Sequence, residues 1–244
     1  MRAAALRYKG VMRVFAVLLA GYAALGAAKL DPPFKSEMHE PRAEDAGVIR
    51  ALRGVDPETH FLLIHGHFVG GGKETVVAVA LRPVQGGDEV STILLLKSAT
   101  GWKPGRRDYQ LSAAYCRSLQ VSAQKDLLLC WNNFSHGSVL DENLYALDFS
   151  QEPSDSWFFQ VRDTTAAASP CRTWAALKSV NFDGVLHVAI DYGRTSSLAV
   201  TVPHHLYRID FELGAAGFSP TEPSKKNFNS IMARWEEQTC SASK

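Results

Sequence analysis

The sequence predicts an all-β protein: antiparallel meander sheets, stacked as a sandwich or curled as an incomplete propeller, followed by one C-terminal helix. Three observations carry this. From about Thr59 onward, short apolar or alternating runs recur between Gly, Pro, Asn and Asp, the texture of strands and turns. Connections such as Gln85-Gly86-Gly87-Asp88 and Asp183-Gly184 are turn-like, whereas parallel pairs need long crossovers. Helical periodicity is scarce, and its best case is the end of the chain. There Phe228, Ile231, Met232 and Trp235 fall at i, i+3, i+4 and i+7, with Asn227 as the expected cap.

The first 28 residues read as an export signal. Arg2, Arg7, Lys9 and Arg13 form a basic start, Val14 to Leu25 is an unbroken apolar run, and Gly26-Ala27-Ala28 supplies the small residues that signal peptidase needs. At about 12 residues the run falls short of the ~20 that cross a bilayer. The expectation is a secreted, periplasmic or cell-envelope protein with no membrane insertion once the signal is removed. The alternative is a signal retained as an anchor.

Residues 29–50, rich in proline and charge, read as a lead-in segment, and residues 51–244 as a single β-rich domain. The strands expected in that domain are 61–64, 75–81, 91–96, 115–121, 127–131, 143–148, 157–161, 176–182, 185–192, 198–202 and 206–213.

Charge excludes one class of partner. Of 26 Lys and Arg, four lie in the signal, leaving 22 cations against 25 anions. Phosphate binding needs a clustered basic surface, and the densest basic stretch, Lys103 to Arg107, reads as a solvated turn. No nucleic-acid partner is expected.

Cysteine usage fits export. Cys116, Cys130, Cys171 and Cys240 are an even set without CxxC spacing, which favours disulfides over metal ligation. A turn around Ser122 to Lys125 places Cys116 opposite Cys130 and sends Leu119, Val121, Leu127, Leu129 and Trp131 to the other face. The remaining pair is Cys171–Cys240. In a loop-entropy model each bridge adds roughly 3–4 kcal/mol.

One stretch is motif-like. Residues 65–75 read HGHFVGGGKET between two apolar runs, and Gly66, Phe68, Gly70 and Gly72 match the frame of the FG-GAP or VCBS-type repeat, which this loop resembles. A shorter echo lies at Asn181-Phe182-Asp183-Gly184. The resemblance implies a blade of an integrin-α-like propeller in a secreted protein. In that family the loop carboxylates commonly bind calcium, a hard ion that takes six to eight oxygen ligands. Here the corresponding positions are His67, Val69, Gly71 and Thr75, and only Thr75 offers even a hydroxyl. No calcium site is expected at this loop.

Two functions from different classes follow. The first is a non-catalytic binding or structural module without cofactor, whose partner is an unidentified protein or glycan. No GxSxG motif occurs, and the carboxylate pairs Asp141-Glu142 and Glu236-Glu237 are adjacent residues that face apart. The alternative is a zinc- or copper-dependent envelope enzyme. His65 and His67, one residue apart beside a strand, can point the same way and recruit His60, His136, His187, His204 or His205.

Overall fold

The computed structural model describes residues 31–55, 57, 59–80, 92–105, 115–150, 158–165, 172–195 and 202–232. Three four-stranded antiparallel meanders follow one another along the chain. Sheet 1 runs β1 (Phe61–Gly66), β2 (Thr75–Ala80), β3 (Thr92–Ser98) and β4 (Gly101–Pro104). Sheet 2 runs β5 (Tyr115–Ser122), β6 (Lys125–His136), β7 (Val139–Leu147) and β8 (Phe159–Asp163). Sheet 3 runs β9 (Arg172–Phe182), β10 (Leu186–Thr195), β11 (His204–Gly214) and β12 (Gly217–Pro220). Helix α1 (Ala46–Arg53) precedes the first sheet and helix α2 (Lys225–Ile231) follows the last. Among the described residues the three sheets are open meanders with no closed barrel.

Burial explains the strand composition. β2 is the unbroken apolar run TVVAVA because it is covered on both faces. On one side Val76 and Ala78 join Leu63, Ile93 and Leu95 beneath Val48 and Leu52 of α1. On the other, Val77 and Val79 share a core with Leu128, Cys130 and Leu147 of sheet 2, closed by Phe68 and Phe149. Sheet 2 meets sheet 3 through aromatic rings: Phe159 lies 5.5 Å from Phe211, and Phe158 lies 5.3 Å from both Phe211 and Phe218. Phe228 of α2 packs 5.8 Å from Phe159 and Phe211.

The lead-in residues belong to the fold. The compact unit begins at Pro32, and residues 33–39 form a strap across the first strand of every sheet. The Val180 N–H of β9 donates to the Pro33 carbonyl at 3.0 Å. The Cys116 carbonyl of β5 accepts the Glu37 N–H at 2.9 Å, and the Ser118 N–H donates to Glu37 Oε2 at 2.8 Å. His39 and Leu63 of β1 exchange two backbone hydrogen bonds, at 3.0 and 2.8 Å. Phe34 is buried, with the Arg117 guanidinium 5.7 Å from its ring centroid.

Several expectations meet corrections. The C-terminal helix begins two residues before Asn227, so Asn227 lies inside it. A 3-10 turn at Glu222–Ser224 leads in, and the Ser224 side chain accepts the Asp210 N–H instead of capping the helix. Lys103 and Pro104 belong to β4, opposite Leu96 and Leu95, where a solvated turn was expected. Strands β4 and β12 are too short for an alternation signal, and α1 begins within the segment read as lead-in. The export signal, Cys171, Cys240, Trp235 and nearly all of the expected strand 198–202 lie outside the described residues.

The β5–β6 register is the expected one: Cys116 is directly opposite Cys130, and their sulfurs are bonded at 2.02 Å. The double variant Cys116→Ala/Cys130→Ala is expected to lose roughly 3 kcal/mol of unfolding free energy, read from urea titrations of oxidised wild type and variant. An unchanged midpoint would show that the bridge leaves the unfolded chain unconstrained.

Candidate functional site

The strap crosses β1 at a corner where two imidazoles meet one carboxylate. His39 is held there by its backbone pairing with Leu63. The chain then turns through the 3-10 segment Ala43–Asp45 into α1. Asp45, the residue before that helix, is fully buried, and its Oδ2 accepts the Arg42 N–H at 2.8 Å. His65, near the end of β1, donates from Nε2 to Asp45 Oδ1 at 2.8 Å, because a carboxylate can only accept. His39 Nδ1 donates to the Glu40 carbonyl at 2.9 Å and lies 4.0 Å from Asp45 Oδ2.

The two rings are stacked, with centroids 5.7 Å apart and planes 8° from parallel. Trp102 stands edge-on to His65 at 6.4 Å. One potential ligand atom from each of His39, Asp45 and His65 falls within 4.8 Å of the other two. Asp45 is sealed, whereas the His65 side chain is 38% exposed, so the corner opens to solvent on the imidazole side.

His67 goes elsewhere. Its backbone N–H donates to Asp126 Oδ2 at 2.7 Å, its Nδ1 lies 3.5 Å from the same oxygen, and its carbonyl accepts the Asp126 N–H. The Gly72 N–H donates to the Gln124 carbonyl, so the first hairpin loop of sheet 1 is fastened to that of sheet 2. His65 and His67 therefore serve different carboxylates, on opposite sides of Gly66.

The rest of the repeat-like loop is given over to folding. A Cβ on Gly66 would come within 2.7 Å of the Phe68 ring, which is fully buried. The Phe68 N–H donates to Thr75 Oγ1, whose hydroxyl donates to the Gly66 carbonyl. Gly70, Gly71 and Gly72 all have φ between 65° and 75°, the left-handed region that glycine enters without steric cost. Val69 packs on the core shared by sheets 1 and 2.

Two further histidines named as candidate ligands have carboxylates of their own on sheet 3. His187 bridges Asp183 and Asp210, at 3.0 and 2.7 Å, and the bond to Asp210 foremost raises its pKa. His204 Nδ1 lies 2.6 Å from Asp191, with its ring 5.5 Å from Trp174.

Among the described residues the acid with the largest upward shift is Glu142 on β7. Its Oε2 accepts the Trp131 indole N–H at 2.9 Å, and its Oε1 accepts the Leu177 N–H of β9 at 3.0 Å, beside the irregular register of β9 and β10. Burial pushes its pKa up to about 7, outweighing the two hydrogen bonds and the nearby Lys178. The group joins sheets 2 and 3.

His39 and Asp45 were hidden in the sequence because the segment holding them read as lead-in. A signal existed: Val48, Ala51, Leu52 and Val55 follow helical spacing immediately after Asp45, a preferred helix-start residue. Among known protein families, curated proteins and solved structures, none matches this chain.

Glu142 sets a pH dependence. Its folded pKa is raised, so the native state holds a proton that the unfolded chain releases near 4.5. This contribution is complete below pH 4.5 and is lost as pH rises to about 7, on the order of 3 kcal/mol in full. Urea midpoints of Glu142→Gln are expected to fall less steeply than wild type between pH 5 and 8; parallel curves would assign the slope to other groups.

Proposed function

We propose that the protein is an extracytoplasmic β-module that binds its ligand without transforming it, with the corner formed by His39, Asp45 and His65 as the binding site. One observation carries this reading: two stacked imidazoles converge on a buried carboxylate and leave one side open to solvent. A polar constellation of this kind, held by backbone pairing and a helix start, is preorganised for a small ligand.

Placement outside the cytoplasm rests on the basic-then-apolar start of the sequence and on the Cys116–Cys130 bridge, which persists in oxidising compartments. No helix among the described residues is long and apolar enough to cross a membrane. The near-even spacing of the first strands, from Phe61, Tyr115 and Arg172, supports the resemblance to FG-GAP-type repeats. The two loops that carry the resemblance occupy the same first-hairpin position in sheets 1 and 3.

A metal-dependent envelope enzyme is the second reading, favoured by the exposure of His65. Three protein ligands with one open side is the plan of catalytic zinc centres. On this reading His65 acts with His39 and Asp45, and His67 contributes to loop anchoring.

The test is a thermal melt of the oxidised protein in chelator, then with Ca²⁺, Zn²⁺, Cu²⁺ or soluble oligosaccharides, beside a hydrolase screen. At least one ligand is expected to raise the melting temperature of wild type but not of His65→Ala, by mass action on the folded state, without turnover. Turnover lost in His39→Ala and His65→Ala would establish the enzyme. A panel with no shift that depends on His65 would remove this corner as the binding site.

A further inference from the structure

We infer that the ligand of this corner is a zinc ion, bound by His39, Asp45 and His65, and that its binding fastens the strap to sheet 1. The inference rests on the reading of the corner as the binding site and specifies its chemistry.

Donor type decides the class of ion. Two imidazole nitrogens and one carboxylate oxygen suit a borderline divalent transition ion, whereas calcium wants an all-oxygen shell. The hydrogen bonds around the corner supply the outer shell that such sites need. His39 Nδ1 lies 2.9 Å from the Glu40 carbonyl and 4.0 Å from Asp45 Oδ2, so the ring is oriented beside the carboxylate before any metal arrives. Asp45 accepts the Arg42 N–H on Oδ2, leaving Oδ1 toward His65.

The adjustment needed is small. Around tetrahedral zinc, with bonds of about 2.0–2.1 Å, neighbouring donor atoms sit roughly 3.3 Å apart. His65 Nε2 and Asp45 Oδ1 stand at 2.8 Å and must open slightly, while the outlying donor within the 4.8 Å group must close by about an ångström and a half at most. Both imidazoles reach solvent and Asp45 is fixed, so the moving parts are ring torsions. The hydrogen now on His65 Nε2 moves to Nδ1 as zinc takes its place, so the ring changes tautomer and its bond to Asp45 gives way to the two metal bonds. A fourth position, on the open side, is left for water.

The ligands come from three places: the strap, the residue before α1, and the end of β1. Zinc therefore links residues 39 and 45 to the sheet edge and steadies the strap hydrogen bonds at Glu37 and His39.

Zinc alone is the probe, titrated calorimetrically into chelator-treated full-length protein, with Co²⁺ substitution for its visible spectrum. One equivalent of Zn²⁺ is expected, with a tetrahedral cobalt spectrum and slower amide exchange at Glu37 and His39. His39→Ala and His65→Ala should each weaken zinc by more than the roughly 10–100-fold that loss of an outer-shell partner costs. Asp45→Asn, which keeps the acceptor for the Arg42 N–H, should weaken zinc while the apo fold and its melting temperature persist. His67→Ala should bind as wild type does.

No stoichiometric zinc, or zinc affinity unchanged in His39→Ala and His65→Ala, overturns the assignment. If zinc fails while another ligand still stabilises the protein in a His65-dependent manner, the zinc assignment falls and the binding site stands. If no ligand depends on His65, both fall.

Discussion

The strap over residues 33–39 is the constraint on which the rest of the structure depends. Each meander leaves its first strand with an unpaired edge, and an unpaired edge invites pairing with another chain. Here one extended segment of the same chain satisfies part of all three edges, at Leu63, at Cys116 and Ser118, and at Val180. Sheets that meet one another through side-chain packing and a few loop hydrogen bonds are thereby also joined to a common element through its backbone. The corner at His39 is where this strap ends and turns into α1, so the candidate site exists because the strap does.

Much of the fold could be read from residue patterns, and the readable parts have a common physics. Strands with one buried face show alternation, and β2, buried on both, shows an unbroken apolar run. The register of β5 and β6 followed from two cysteines equidistant from a turn. What escaped detection was short or non-periodic. β4 and β12 have four residues each, too few to show a period of two, and the strap carries no periodicity because its bonds run to three different sheets. The site was half visible: His65 was singled out, but its sequence neighbour His67 was the natural partner to assume. The true neighbours, His39 and Asp45, come from a segment whose proline and charge content resembles a linker.

The histidines show how one residue type is put to different uses. At the strap corner the carboxylate is buried and shared by two rings. At the loop junction Asp126 accepts a backbone N–H as well as facing His67, which makes it a fastener between two hairpins. On sheet 3 His187 has a carboxylate at each ring nitrogen, and Arg208 Nη2 also lies 2.6 Å from its Nδ1. The first arrangement sets two imidazoles against one buried acid, whereas Asp126 meets a single ring. Glu142 is the complementary case, a buried carboxylate whose acceptors are both filled by N–H groups of the fold, leaving it a joint between sheets.

The strap also dictates an order of assembly. It precedes all three sheets in the chain, yet Ser36 and Glu37 find their partners 80 and 81 residues later, and Pro33 waits for Val180. Each meander can zip locally through its hairpins, but the strap cannot complete its pairing until β9 exists. Contacts this distant in sequence slow folding, because the loop must close before any bond rewards it. The earliest part of the domain to emerge during synthesis thus completes its pairing only after β9, its Pro33 end waiting longest.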